Sequence, residues 1–160
     1  MAATAWQLYN SAKKYIGNGE IELGKVGASF KMGLYTSTAS AGVSTFTLTA
    51  PIQISAIQAS GGGYPSGGKE LVPATGQWTT GASAKQIKFT YSTVGLTFTA
   101  SGSTLANVKY AVISHGASAN TPSSTRKLLC FCQLSSSQFS VSSPNTLTVL
   151  PAATGVFTLT

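Results

Sequence analysis

From residue 30 onward, apolar residues recur at every second position in short runs, and turn residues interrupt each run. That period places successive side chains on opposite faces of an extended strand and does not fit a helix. Phe30, Met32 and Leu34 alternate with Lys31, Gly33 and Tyr35. Ile87, Phe89 and Tyr91 alternate with Lys88 and Thr90, and Val94, Leu96 and Phe98 with Gly95 and Thr97. Phe46 and Leu48 alternate with threonines, and Ile52, Ile54 and Ile57 predict a strand with a slip or bulge. Two denser apolar runs, 108–113 and 128–134, predict central strands covered on both faces. Leu147 and Val149, then Val156, Phe157 and Leu159, supply two closing strands. Threonine is abundant, and its branched Cβ favours the extended backbone.

One stretch breaks the pattern. Trp6, Tyr9, Ala12 and Ile16 recur at helical spacing, which predicts a helix over 4–16 with Thr4 as its N-cap, Lys13 and Lys14 in its last turn and Gly17 ending it. Trp6 and Tyr9 would anchor that helix to the sheet. Two long loops follow, a glycine-rich one at 60–68 and one at 115–124. No repeat and no linker divides the chain. The expectation is one domain over 1–160, all-β, a β-sandwich or jelly roll of about eight to ten strands with one short N-terminal helix.

The chain is poor in the groups that carry chemistry. Its acidic residues are Glu20, Glu22 and Glu70, with no Asp, and it has a single His115. Charged residues make up 8% of the chain, against about 25% in an ordinary soluble domain. Ser, Thr, Gly and Ala take the surface positions instead, and a surface of that kind loses little hydration and little side-chain entropy when it is covered. The net charge is +7, from nine lysines and Arg126, but no cationic run exceeds two residues. An acidic protein surface therefore suits this chain better than nucleic acid, which favours clustered arginine. Residues 2–12 contain no continuous apolar run of the signal-peptide kind, and no stretch approaches the length of a membrane span. Cys130 and Cys132 lie two apart on a predicted strand, on one face and badly placed to bond to each other, so free buried thiols are expected.

Each candidate site has a plainer explanation. Gly61-Gly62-Gly63 is not a phosphate loop, because Gly68-Lys69 is followed by Glu70 and by a strand-like pattern. His115 has no Asp to orient it, and the adjacent Ser114 faces the other way on a strand. Glu20 and Glu22 read as ion-pair partners of Lys25 or of a neighbouring subunit. Cys130, Cys132 and His115 are too few and too closely spaced for zinc. Neither a catalytic group nor a cofactor is expected. Tyr64, in the glycine loop, and Trp78, between polar neighbours, are the aromatic residues expected on the surface, where they would serve as protein-contact anchors.

The order of segments carries a resemblance. It runs through Tyr15-Ile16-Gly17-Asn18-Gly19-Glu20-Ile21-Glu22-Leu23, the strand Phe30-Lys31-Met32-Gly33-Leu34-Tyr35-Thr36-Ser37 and the loop Gly63-Tyr64-Pro65-Ser66-Gly67-Gly68-Lys69. It continues through Lys109-Tyr110-Ala111-Val112-Ile113, Lys127-Leu128-Leu129, and an ending that includes Asn145-Thr146-Leu147-Thr148-Val149 and Gly155-Val156-Phe157-Thr158-Leu159-Thr160. In this order the chain resembles small structural proteins of tailed bacteriophages, described as decoration, cement or head-fibre proteins. The resemblance implies a virion component. The expected place is the capsid surface, with the major capsid protein as partner; the free thiols fit synthesis in the host cytoplasm, and self-association as a dimer or trimer would cover the edge strands. Trp6, Lys13, Lys14 and Tyr64 are the expected interface residues. Two other classes are carried beside it: a receptor- or glycan-binding fibre module, which needs an exposed aromatic platform, and a nucleic-acid-binding β domain, which needs the cations on one face.

Overall fold

A computed structural model describes residues 3–24, 29–36, 62–65, 67–71, 78–80, 85–92, 94–116 and 125–159. The predicted strands around Phe46 and Ile54, residues 60, 61 and 66 of the glycine-rich loop, residues 117–124 of the second loop, and Lys25 lie outside these residues. Among the described residues the chain runs β1 (Gln7–Leu8), α1 (Asn10–Gly17), β2 (Ser29–Thr36), β3 (Lys69–Glu70), β4 (Trp78–Thr80), β5 (Ile87–Phe89) and β6 (Leu96–Thr99). It continues through β7 (Leu105–Gly116), β8 (Lys127–Gln133), β9 (Phe139–Val141), β10 (Thr146–Val149) and β11 (Phe157–Leu159). The fold is all-β; among the described residues it has one short helix, and every strand pairing is antiparallel.

The main sheet has the order β1-β8-β7-β2-β3, with β9 also pairing with β7. β10 and β6 form a two-stranded sheet, and β11, β5 and β4 a three-stranded one. The two dense apolar runs become β7 and β8, and both are buried through their apolar centres. β7 spans 12 residues and serves three partners: β9 at its start, then β2 and β8 together. A bulge between Leu105 and Val108 marks the change, where Asn107 takes φ 57° and donates its N–H to Ser140 Oγ at 3.1 Å. In β2 the expected alternation disappears. Gly33 and Tyr35 are buried along with Phe30, Met32 and Leu34, because this strand is covered on both faces.

Aromatic contacts join the sheets into one core. Phe30 of β2 meets Phe89 of β5 at 5.1 Å between ring centroids, and Phe89 stacks on Phe157 of β11 at 5.3 Å. Tyr91 donates its hydroxyl to the Val149 carbonyl at 3.0 Å, which fixes β10 to the segment after β5. Cys130 and Cys132 are free, buried thiols.

The N-terminal region corrects the sequence reading. The helix begins at Asn10, not at residue 4, and Tyr9 occupies its N-cap position without a side-chain cap bond. Residues 4–9 instead run along the outer edge of β8. Thr4 N–H donates to the Gln133 carbonyl at 2.8 Å, Gln133 N–H donates to Thr4 Oγ1 at 3.0 Å, and Tyr9 N–H donates to the Leu129 carbonyl at 3.1 Å. Gln7 and Leu8 pair with Phe131 and Cys130. A strand edge offers backbone partners at once, whereas another helical turn gains little at the frayed start of a short helix. Tyr9 and Ala12 still face the core, and the Tyr9 ring packs on Phe131 at 5.1 Å.

Candidate protein-interaction site

Three places draw polar or apolar groups together. The first is a buried polar cluster at the end of the main sheet. Arg126 is 2% exposed. Its Nε donates to Ser114 Oγ at 3.1 Å, and its Nη2 donates to the Ser29 and Ser114 carbonyls at 2.8 and 3.1 Å. Ser29 Oγ donates in turn to Glu70 Oε1 at 2.9 Å. The guanidinium thus ties β2 to β7 where their ladder ends. Burial lowers its pKa to about 10, with the Glu70 carboxylate acting in the opposite direction. His115 lies in β7, buried, with its ring 4.9 Å from that of Phe30. In the sequence Arg126 stands only as one of ten scattered cations, and nothing there places it in the interior.

The second is a cleft of about 270 Å³ beside the glycine loop, lined by Gly63, Tyr64, Pro65, Lys69, Thr97 and neighbouring residues. Lys69 Nζ donates to the Thr97 carbonyl at 2.8 Å within it. Tyr64 does not present its ring to solvent as expected. It is 3% exposed, its ring stacks on Phe98 at 5.8 Å, and its hydroxyl accepts the Leu34 N–H at 3.0 Å. Gly63 and Gly62, with φ of 83° and 56°, turn the loop so that the side chain points inward. Trp78 is also no free platform, since its ring packs against Phe89 and Phe157 at 6.4 and 6.1 Å.

The third is an apolar groove of about 480 Å³, open to solvent, between the N-terminal segment and β10. Ala3, Thr4, Ala5 and Trp6 form one wall, and residues 147–152 form the other. Cys132, Leu134 and Phe139 complete it. Among the described residues that line it, none is a Lys, Arg, Asp, Glu or His. Burial lifts the Cys132 thiol to about 12, so that group stays neutral too. Trp6 is half-buried here, and Leu150 on the rim is 57% exposed. A Cβ added at Gly95 would meet Leu150, and Val94, adjacent to Gly95 in the chain, is 78% exposed.

The remaining charged residues are scattered. Lys13 and Lys14 are exposed on α1. Lys127 pairs with Glu20 at 3.1 Å and lies 5.3 Å from the Tyr15 ring centroid. Asn18 and Lys127 hold the Glu20 carboxyl below its ordinary range by hydrogen bonding. Among the described residues no three His, Cys, Asp or Glu side chains form a metal-ligand group, and no helix is long and apolar enough to cross a membrane. Of the four expected interface residues, Trp6 lines the groove, Lys13 and Lys14 stand on the helix surface, and Tyr64 is withdrawn into the core. The groove itself escaped sequence reading because its two walls are more than 130 residues apart in the chain. Comparison with protein-family models, with curated proteins and with solved structures finds no match for this chain.

Proposed function

We propose that this chain is a structural protein of a tailed-phage particle, a decoration or cement protein that binds the major capsid protein lattice and stabilises the mature head. The observation that carries an adhesive role is the charge-free groove with Trp6 in its wall and Leu150 and Val94 exposed beside it. Exposed apolar surface marks an interaction site, and Trp is among the residue types most enriched at interface anchors. The order of sequence segments supplies the particle to which that role belongs. The mechanism is selective binding. A protein that attaches only to the expanded lattice shifts the equilibrium towards it, and many copies add their effects. The net charge of +7 draws the protein towards an acidic shell and makes attachment sensitive to salt.

A fibre module that reads glycans is less well supported, because Tyr64 is buried and Trp78 is packed among phenylalanines. A nucleic-acid role is also less well supported. Lys13 and Lys14 lie on α1, Lys31 on β2, Lys88 on β5 and Lys109 on β7, while Arg126 is buried. The test mixes purified protein with capsids lacking it, with host cells and with single-stranded DNA. Saturable binding to capsids, with DNA retained to higher temperature, is the expected result. Binding only to cells or only to DNA overturns the proposal.

A further inference from the structure

We propose that Asn18 is a spontaneous deamidation site controlled by the end of α1: shut while the last turn is intact, open when that turn frays. The proposal stands apart from the capsid reading. The chain has five asparagines, Asn10, Asn18, Asn107, Asn120 and Asn145, and only Asn18 precedes a glycine. The helix end itself demands that glycine. Gly19 takes φ 70°, its N–H donates to the Ile16 carbonyl at 3.1 Å, and the Glu20 N–H donates to the Tyr15 carbonyl at 2.8 Å. These paired bonds close a helix on a left-handed residue, a conformation that glycine adopts without strain. The same glycine leaves the amide after Asn18 unshielded. Among the described residues a Cβ placed at Gly19 meets nothing within 4 Å, and both Asn18 and Gly19 are exposed to water.

The reaction needs only water and hydroxide. The Gly19 nitrogen gives its proton to hydroxide and attacks Asn18 Cγ, and the new N–Cγ bond closes a five-membered succinimide. The Cγ–Nδ2 bond breaks, and Nδ2 takes a proton from water and leaves as ammonia. Water then opens the ring at either carbonyl, giving aspartate or isoaspartate. The intact helix end withholds each requirement. The Gly19 N–H is engaged by the Ile16 carbonyl. Ring closure needs Cβ and the Gly19 nitrogen eclipsed about the Cα–C bond, and at ψ −1° Asn18 holds them apart. Asn18 Nδ2 donates to Glu20 Oε1 at 3.2 Å, which ties the side-chain amide to its neighbour. Fraying of the last turn releases all three together. The product has a consequence too. A carboxylate at position 18 faces Glu20 as a like charge, at a helix C-terminus where anions are disfavoured. Glu20 is the partner of Lys127 at 3.1 Å, so conversion loosens the tie between the end of α1 and the start of β8.

The test incubates the whole protein in mildly alkaline buffer, with and without urea, and follows each asparagine by peptide mass spectrometry. In urea Asn18 should convert first of the five. In the folded protein it should convert more slowly than in urea by about tenfold or more. Lys13→Gly separates the helix end from the rest of the fold. Lys13 is exposed on α1 and is not adjacent to the Asn18-Gly19 pair, and glycine weakens a helix interior. Its folded-state rate at Asn18 should rise roughly fivefold, while its rate in urea stays that of the wild type. Asn18→Asp supplies the product directly, and hydrogen exchange at the Gly19 and Glu20 amides should be faster than in the wild type. Equal rates at Asn18 in folded and urea-treated protein overturn the proposal. So does an Asn18 that fails to convert in urea, or a folded Lys13→Gly variant that converts no faster than the wild type.

Discussion

The backbone N–H of Leu34 donates to the hydroxyl of Tyr64 at 3.0 Å, which links the glycine loop to the middle of β2. β3 pairs with β2 only at Lys31 and Met32, so a side chain takes over the outer edge of β2 where the short strand ends. Burial raises the Tyr64 pKa to about 12, with the Leu34 hydrogen bond acting in the opposite direction. Tyr64→Phe keeps the ring on Phe98 and strands the Leu34 N–H. The expected cost is about 1–2 kcal/mol, the penalty for a buried donor left without an acceptor. Urea unfolding measures it; a variant as stable as the wild type would show that water or another group replaces the phenol.

Arg126 makes a sharper case. Its planar guanidinium reaches the Ser114 hydroxyl and two carbonyls on different strands, which a single ammonium cannot reproduce. Arg126→Lys should therefore lose about 1–3 kcal/mol although charge is kept. Arg126→Ala should lose more, because it also leaves a cavity. Denaturant midpoints for the two variants check the order, and an unperturbed Lys variant contradicts it.

Stability should fall on the alkaline side. Tyr9, Tyr35, Tyr64 and Tyr91 all have pKa values raised above the ordinary 10.0, and Cys130 and Cys132 above 9.0, in each case mainly by burial. Above about pH 9 the unfolded chain releases these protons while the folded chain keeps them, so stability drops as pH rises. Arg126, lowered to about 10, works in the opposite sense over the same range, but it is one group against six. The urea midpoint should decline steadily from about pH 8 to pH 11. Ionisation of Tyr9, Tyr35, Tyr64 and Tyr91 should accompany unfolding and not precede it. A flat midpoint, or ionisation of these four in the folded protein, refutes this.

Lys13→Glu with Lys14→Glu separates attachment from folding. Both lysines are exposed on α1, and Lys14 lies in its last turn, where a cation is mildly favourable. The double variant should lose no more than about 1 kcal/mol of stability. Under the proposed cement role, association of the double variant with capsids should slow and become less dependent on salt, because fewer cations steer the encounter. An unchanged salt dependence would remove these two residues from the contact.

Local sequence determined that the chain is all-β, from its period-two runs; that residues 108–113 and 128–134 lie at the centre of a sheet, from their dense apolar character; and that Cys130 and Cys132 are buried thiols. Those properties follow from which face of a strand each side chain takes, and that is written locally. Only the tertiary structure decided that residues 7–8 pair as a strand, that Tyr64 turns inward, that Arg126 is enclosed, and that a groove opens beside Trp6. Each of these depends on which strand edge arrives next to which. Thr4 meets Gln133 across 129 positions of chain, and no window of neighbouring residues contains both halves of such a contact.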